Sequence, residues 1–198
     1  VTSHVDLAPT LVTFSGAAPE LRARITQGLP GKDISGLLAA PEQAGVNALR
    51  DGVLFNYNMF AYLDSDFTHR AVAFLQQGGK PDAMKAAGIV PDMMKRGALR
   101  SVYDGRYVFT RYFSPKQPNR PVTLEDLQRF NDLELFDTQA DPLEIDNLAG
   151  ERRHRELLLA MNAKLNQLID SEVGEDRGQM LPGGVDAGWE VSAETITL

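Results

Sequence analysis

The sequence predicts an α/β fold, of the α+β kind in this portion: a small antiparallel sheet packed by a long C-terminal helix. Three observations predict it. Residues 99–103 and 106–113 are β-rich runs joined by Asp104-Gly105, a two-residue connection of the kind that closes hairpins. Residues 133–137 form a third β segment shortly afterwards. Residues 151–169 place Leu158, Met161, Leu165 and Leu168 at helical spacing, with Arg152, Arg153, Glu156 and Lys164 facing elsewhere.

The remaining elements follow in chain order. Thr2 and Ser3 precede Val5, Leu7, Leu11, Val12 and Phe14, and Gly16 follows. That pattern predicts a helix with a hydroxyl or Asp6 cap, an apolar face and a glycine stop. Pro9 suits the first turn, where a missing N–H costs nothing. Residues 17–51 are mixed, with a turn at Leu29-Pro30-Gly31-Lys32-Asp33 and with Ile34, Leu37 and Leu38 as anchors to a core. Residues 52–57 read as a strand. Residues 67–77 read as a short helix closed by Gly78-Gly79, and 81–96 as one or two short helices interrupted near Gly88 and Pro91. Beyond the hairpin, 114–121 is a proline-rich loop, and Thr123 caps a short helix that begins Leu124-Glu125-Asp126. Residues 171–198 are polar and glycine-rich and read as an extended tail. There is no internal repeat and no clean domain boundary before 171.

Composition narrows the function classes. The 198 residues are 43% hydrophobic and 24% charged, enough for a packed core. The net charge of -7 argues against nucleic acid, which demands a basic face, and gives no attraction to an anionic membrane. No apolar run approaches the length that spans a bilayer, and no signal peptide is visible. The absence of cysteine excludes disulfides, thiolate metal sites and a cysteine nucleophile. The chain begins at Val1 and enters a helix almost at once, so a fragment or a processed subunit is the expectation.

Few residues carry chemistry. The histidines are His4, His69 and His154, and no zinc-protease, nucleophile-elbow, P-loop or dinucleotide motif is present. His154 sits on the polar side of the terminal helix among arginines and reads as solvated. His4 lies at the mouth of the first helix, where N–H groups and the dipole favour an anion. It reads as a capping or loop histidine, or as a contact at the edge of an anion pocket; Asp6 in the same turn reads as a cap. His69 opens a helix behind Asp64 and Asp66. Those carboxylates invite calcium, but the spacing lacks the later glycine and glutamate of a calcium loop, and helix-terminus charge complementarity serves as well. Arg106, Arg111, Lys116 and Arg120 cluster around the hairpin, facing either an anionic substrate or solvent. Tyr103, Tyr107, Phe109, Tyr112 and Phe113 read as core and cross-strand pairs. No catalytic constellation emerges.

Two stretches carry a resemblance. The first is Ser3-His4-Val5-Asp6-Leu7-Ala8-Pro9-Thr10-Leu11-Val12 with Phe14-Ser15-Gly16, then Pro30-Gly31-Lys32-Asp33-Ile34. The second, more specific, is Glu134-Leu135-Phe136-Asp137-Thr138-Gln139-Ala140-Asp141-Pro142-Leu143-Glu144-Ile145-Asp146-Asn147-Leu148-Ala149. Together they resemble the C-terminal region of sulfatases of the alkaline phosphatase superfamily. The resemblance covers roughly residues 2–170. It implies that 1–51 end a catalytic domain and that 52–170 form a C-terminal subdomain, with a helical insertion at about 56–96 and a tail at 171–198.

That family, as the resemblance implies, uses a formylglycine made from Cys or Ser in a C/S-x-P-S-R motif, and a divalent cation, usually calcium. Neither motif nor metal ligands occur in this chain. Both are expected in an N-terminal half, so no catalytic or metal residue is assigned here. His4, His69, Arg106 and Arg111 are the candidate contacts at the edge of a sulfate-ester substrate. Structural roles carry over to Asp6, Pro9 and Thr10 at the first helix and to Asp137, Asp141, Pro142 and Asn147 before the last. The implied partners are the N-terminal half and a sulfate ester, with homo-oligomerisation through the tail. A phosphonate monoester hydrolase or phosphodiesterase of the same superfamily is the nearest alternative. A non-catalytic interaction module or subunit is the alternative from another class.

Overall fold

The structure, a computed structural model, describes residues 1–58, 64–117 and 120–174. A 3-10 turn, His4–Asp6, leads into α1 (Leu7–Phe14), followed by α2 (Pro19–Thr26) and α3 (Ser35–Ala39). Then come β1 (Val53–Asn58), α4 (Ser65–Gln76), β2 (Ala98–Tyr103), β3 (Tyr107–Phe113), α5 (Leu124–Phe130), β4 (Asn131–Asp137) and α6 (Arg155–Glu172).

The four strands form one antiparallel sheet in the order β1-β2-β3-β4. Alternation explains what it buries. Leu54 lies opposite Val102, Val102 opposite Phe109, and Phe109 opposite Leu135, one apolar row across all four strands. α6 lays Leu158, Met161, Leu165 and Ile169 on that row, and Leu127 of α5 completes the core. Val102, Phe109, Leu127, Leu135, Leu165 and Ile169 are wholly buried. Each such side chain contributes roughly 1.5–3 kcal/mol. The expected architecture is therefore present: an antiparallel sheet covered by a long C-terminal helix.

Several boundaries differ from expectation, each for a local reason. The hairpin turns one residue later than Asp104-Gly105: Asp104 and Tyr107 close it, and Gly105-Arg106 form its tip. Gly105 takes φ +98, which only glycine adopts freely, and Asp104 Oδ1 accepts from the N–H groups of Arg106 and Tyr107. Residues 81–96 hold only a 3-10 turn, Pro81–Ala83, instead of helices. Gly88 at φ +69 and Pro91 break the segment before a second turn can form. α2 was not foreseen; Pro19 stands at its first turn. β4 starts directly after α5, with no loop between them. α6 is preceded by a 3-10 turn, Arg152–His154, and extends to Glu172, so the first residues of the expected tail are helical. The tail beyond Gly174, and any oligomer contact it makes, lies outside the described residues.

Candidate functional site

The N-terminal stretch builds an elbow around Asp6, which is wholly buried. Its Oδ2 accepts from Ser3 N at 2.7 Å and its Oδ1 from Lys32 N at 2.8 Å. Arg50 adds an ion pair, its own side chain 8% exposed. Thr10 Oγ1 donates to Asp6 O at 2.6 Å and accepts from Ile34 N at 3.0 Å. Asp6 stands at the N-cap position of α1 but its side chain does not cap that helix; the carboxylate instead closes a capping box with Ser3 at the 3-10 turn and binds the Pro30-Gly31 turn and the segment before β1. Gly31 is required by closeness: a Cβ there would lie 1.8 Å from Val5 O.

The stretch from Asp137 to Asn147 forms a second carboxylate-knotted turn. Arg106 grips Asp137 with two nitrogens, Nη2 at 2.6 Å from Oδ2, and this pairing holds the Asp137 carboxyl below the usual range. Asp141 Oδ2 accepts from Ile145 N at 2.7 Å and Asp146 N at 2.8 Å. Glu144 takes φ 53 inside the loop so formed. Asn147 Oδ1 accepts from Leu135 N and Ala149 N, each at 3.0 Å, and its Nδ2 donates to Leu133 O. Asn147 thus ties the turn to β4 and caps the passage toward α6.

The four candidate substrate-edge residues do not share a site. His4 is exposed on the 3-10 turn ahead of α1, and His69 is exposed on α4. Arg106 sits at the hairpin tip, bound to Asp137. Asp64, at the start of α4, is tied to Asp92 N and Lys95, just before β2, at the other end of the sheet. Arg111 is wholly buried, contrary to a solvent-facing or substrate-facing strand position. Its row runs Arg100–Arg111–Leu133, two residues along from the core row, so it points at α6. There its Nη1 donates to Asn162 Oδ1 at 2.7 Å and Asn166 Oδ1 at 2.9 Å. Both amides in turn donate to Pro121 O.

Asp64 resolves as a junction. It caps α4 through Phe67 N, and accepts from Asp92 N at 2.6 Å and Lys95 Nζ at 2.7 Å. The Asp92 N–H, then Lys95, hold its carboxyl down at about 2. Among the described residues no three His, Cys, Asp or Glu groups converge as metal ligands.

One cavity of about 630 Å³ opens between the N-terminal segment and α6, lined by Lys32, Arg50, Asp51, Lys164 and Glu172 among others. Its cations are engaged. Lys32 Nζ donates to Leu49 O, Arg50 holds Asp6, and Lys164 Nζ donates to Asp104 Oδ2 at 3.1 Å and Asp51 O at 3.2 Å. Those bonds fasten residues 32–51 to the hairpin and α6. Neither the Arg50–Asp6 pair nor the Arg111–Asn162–Asn166 network is evident from the sequence. Polar residues on the inward stripe of residues 151–169 were the available signal.

No protein-family model and no curated protein matches the chain. Solved structures do resemble it. One, determined in complex with its substrate D-glucosamine-2-N,6-O-disulfate, has a TM-score of 0.51 at 13% identity, over 86% of this chain and 24% of that one. A phosphonate monoester hydrolase of Agrobacterium radiobacter gives 0.45 at 19%, over 84% and 24%. A Bacteroides thetaiotaomicron structure, described with the metabolism of multiple glycosaminoglycans, gives 0.44 at 18%, over 91% and 29%. The chain spans about a quarter of the length of these neighbours. The first likeness shows a shared fold: an α+β arrangement found within a longer chain.

Proposed function

We propose that this chain is the C-terminal portion of a sulfatase-type hydrolase of sulfate esters, contributing scaffold rather than catalytic groups. The observation that carries the reading is the Asp137–Asn147 turn. The residues that resemble the sulfatase signature are the ones that knot the chain there: Asp137 on Arg106, Asp141 on two amides, Asn147 across to β4. A shared fold with a protein whose substrate is a sulfated sugar supports the same reading. On this reading the formylglycine and the calcium belong to an N-terminal half. That half would supply charge stabilisation on the transferring sulfuryl group.

The test is the polypeptide that extends this chain upstream of Val1. It should carry a C/S-x-P-S-R motif and hydrolyse a chromogenic aryl sulfate. Substituting the Cys or Ser of that motif should abolish turnover, and residues 1–198 alone should show none. Turnover by residues 1–198 alone would overturn the proposal. Hydrolysis of a phosphonate monoester in preference to the sulfate would assign the other branch of the superfamily.

A further inference from the structure

The cavity between the N-terminal segment and α6 carries positive charge that its internal bonds do not use up. Arg50 lines it, with a side chain 8% exposed, and among the described residues donates to Asp6 alone. A guanidinium has five N–H donors, so most of them are left over. The Nε of Arg50 is buried with no partner. A buried donor left unpaired costs about 1–3 kcal/mol and calls for an acceptor from elsewhere, an ordered water or an ion. Asp6 is already shared, since it also accepts from Ser3 N and Lys32 N. Lys32 lines the same cavity. Its Nζ meets Leu49 O at 2.7 Å and, among the described residues, forms no ion pair. Two carboxylates, Asp51 and Glu172, also line the cavity, yet neither pairs with Arg50 or Lys32 among the described residues. Partial desolvation lifts the Glu172 carboxyl above the usual range, and the opposing pull of Arg50 and Lys32 does not offset it.

We infer that this cavity is a binding site for a small oxyanion held between Arg50 and Lys32. The anion is either a free sulfate or phosphate, or the carboxylate or sulfate head of a small organic molecule. A guanidinium fork suits two oxygens of one such group, and a nearby ammonium adds a point charge. The volume of about 630 Å³ falls in the range of small-molecule sites, roughly 300–1,000 Å³. It leaves room beside the head for a polar body against Asn47, Gln167 and Ser171. The inference stands on these residues and does not depend on the sulfatase reading.

The experiment titrates inorganic sulfate and glucuronate, by calorimetry, into the intact polypeptide in which residues 1–198 occur. Arg50→Ala would strand the buried Asp6 carboxylate, so Lys32 and Glu172 are the positions to substitute. Lys32→Met, at an exposed side chain, should keep the Tm to within about 3 °C. It should weaken binding at least about 10-fold. Glu172→Gln removes a repelling charge and should tighten binding about 3-fold or more. Lys80→Met makes the same charge change outside the cavity lining and should bind like wild type. Glucuronate binding tighter than sulfate would identify an organic anion as the ligand, and the reverse order a free ion; either supports the site. Binding of neither probe would overturn the inference, as would equal binding by Lys32→Met or equal loss from Lys80→Met. Binding that emerges only after removal of residues 175–198 would also overturn it, because carboxylates of the chain itself would then be the occupant.

Discussion

At the residue scale, single buried carboxylates hold together segments far apart in sequence. Asp64 joins α4 to the stretch before β2, and its position below the ordinary 3.8 of an aspartate has a pH consequence. Because the folded-state value is depressed, to about 2, its contribution is fully present above about pH 4. It fades as the pH falls through about 2. Asp64→Asn should therefore cost roughly 2–3 kcal/mol at neutral pH, from the weakened cap and lost charge-assisted bonds. Urea titrations of both proteins from pH 7 to pH 2 should show that difference shrinking across the acid range; a constant difference would contradict it. Gly31 is a sharper case. Gly31→Ala would drive a methyl into Val5 O, so the Pro30-Gly31 turn would have to leave the elbow and release Lys32 N from Asp6. The expected result is a loss of about 2 kcal/mol or more, with faster amide exchange confined to the first 34 residues.

At the scale of elements, the polar contact between β3 and α6 governs how the helix seats. Arg111, Asn162 and Asn166 form a buried chain that ends on Pro121 O, and so fastens sheet, helix and the loop before α5 together. Arg111→Ala would strand two amide oxygens in the interior and should destabilise by about 3–5 kcal/mol in urea unfolding. A cost below about 1 kcal/mol would show that the network is not needed to seat the helix. Asn147→Ala removes three hydrogen bonds at once and should cost about 2–4 kcal/mol. Much of this level was legible beforehand. Thr123 accepts from Asp126 N as its cap pattern implies, and the run at 151–169 is helical. The misses have local causes. The hairpin tip shifted by one because Asp104 serves as an acceptor that closes the turn rather than as a member of it. The helices expected in 81–96 gave way to Gly88 and Pro91.

Across the whole molecule, burial is uneven. The sheet and α6 enclose the apolar residues of zero exposure, whereas α2 and α3 contain no buried residue. Hydrogen-exchange mass spectrometry should therefore find β2, β3 and α6 opening only with global unfolding, and α2 and α3 opening far more readily. Uniform protection across the chain would contradict that ranking. The same unevenness bears on function. The helices that bury least among themselves belong to the part that the resemblance assigns to the end of a catalytic domain.

What the sequence by itself determined were features that depend on near neighbours: the hairpin, the Thr123 cap, the helical stripe before the C-terminal tail, and the glycine stop at Gly16, which takes φ +72. The turn from Asp137 to Asn147 was implied by the resemblance, and its bonds span only a few residues apart from those to Arg106 and β4. Only the tertiary structure decided the rest. Arg50 reaches Asp6 across 44 positions, and Arg111 points inward because its strand register sets it on the face under α6. The apolar stripe of α1, Leu7, Leu11 and Phe14, faces outward because the hydrogen bonds of its polar side, from Thr10 and Thr13, are made inside this chain. Periodicity shows that a helix has an apolar face; which body that face meets depends on where the polar face is already tied.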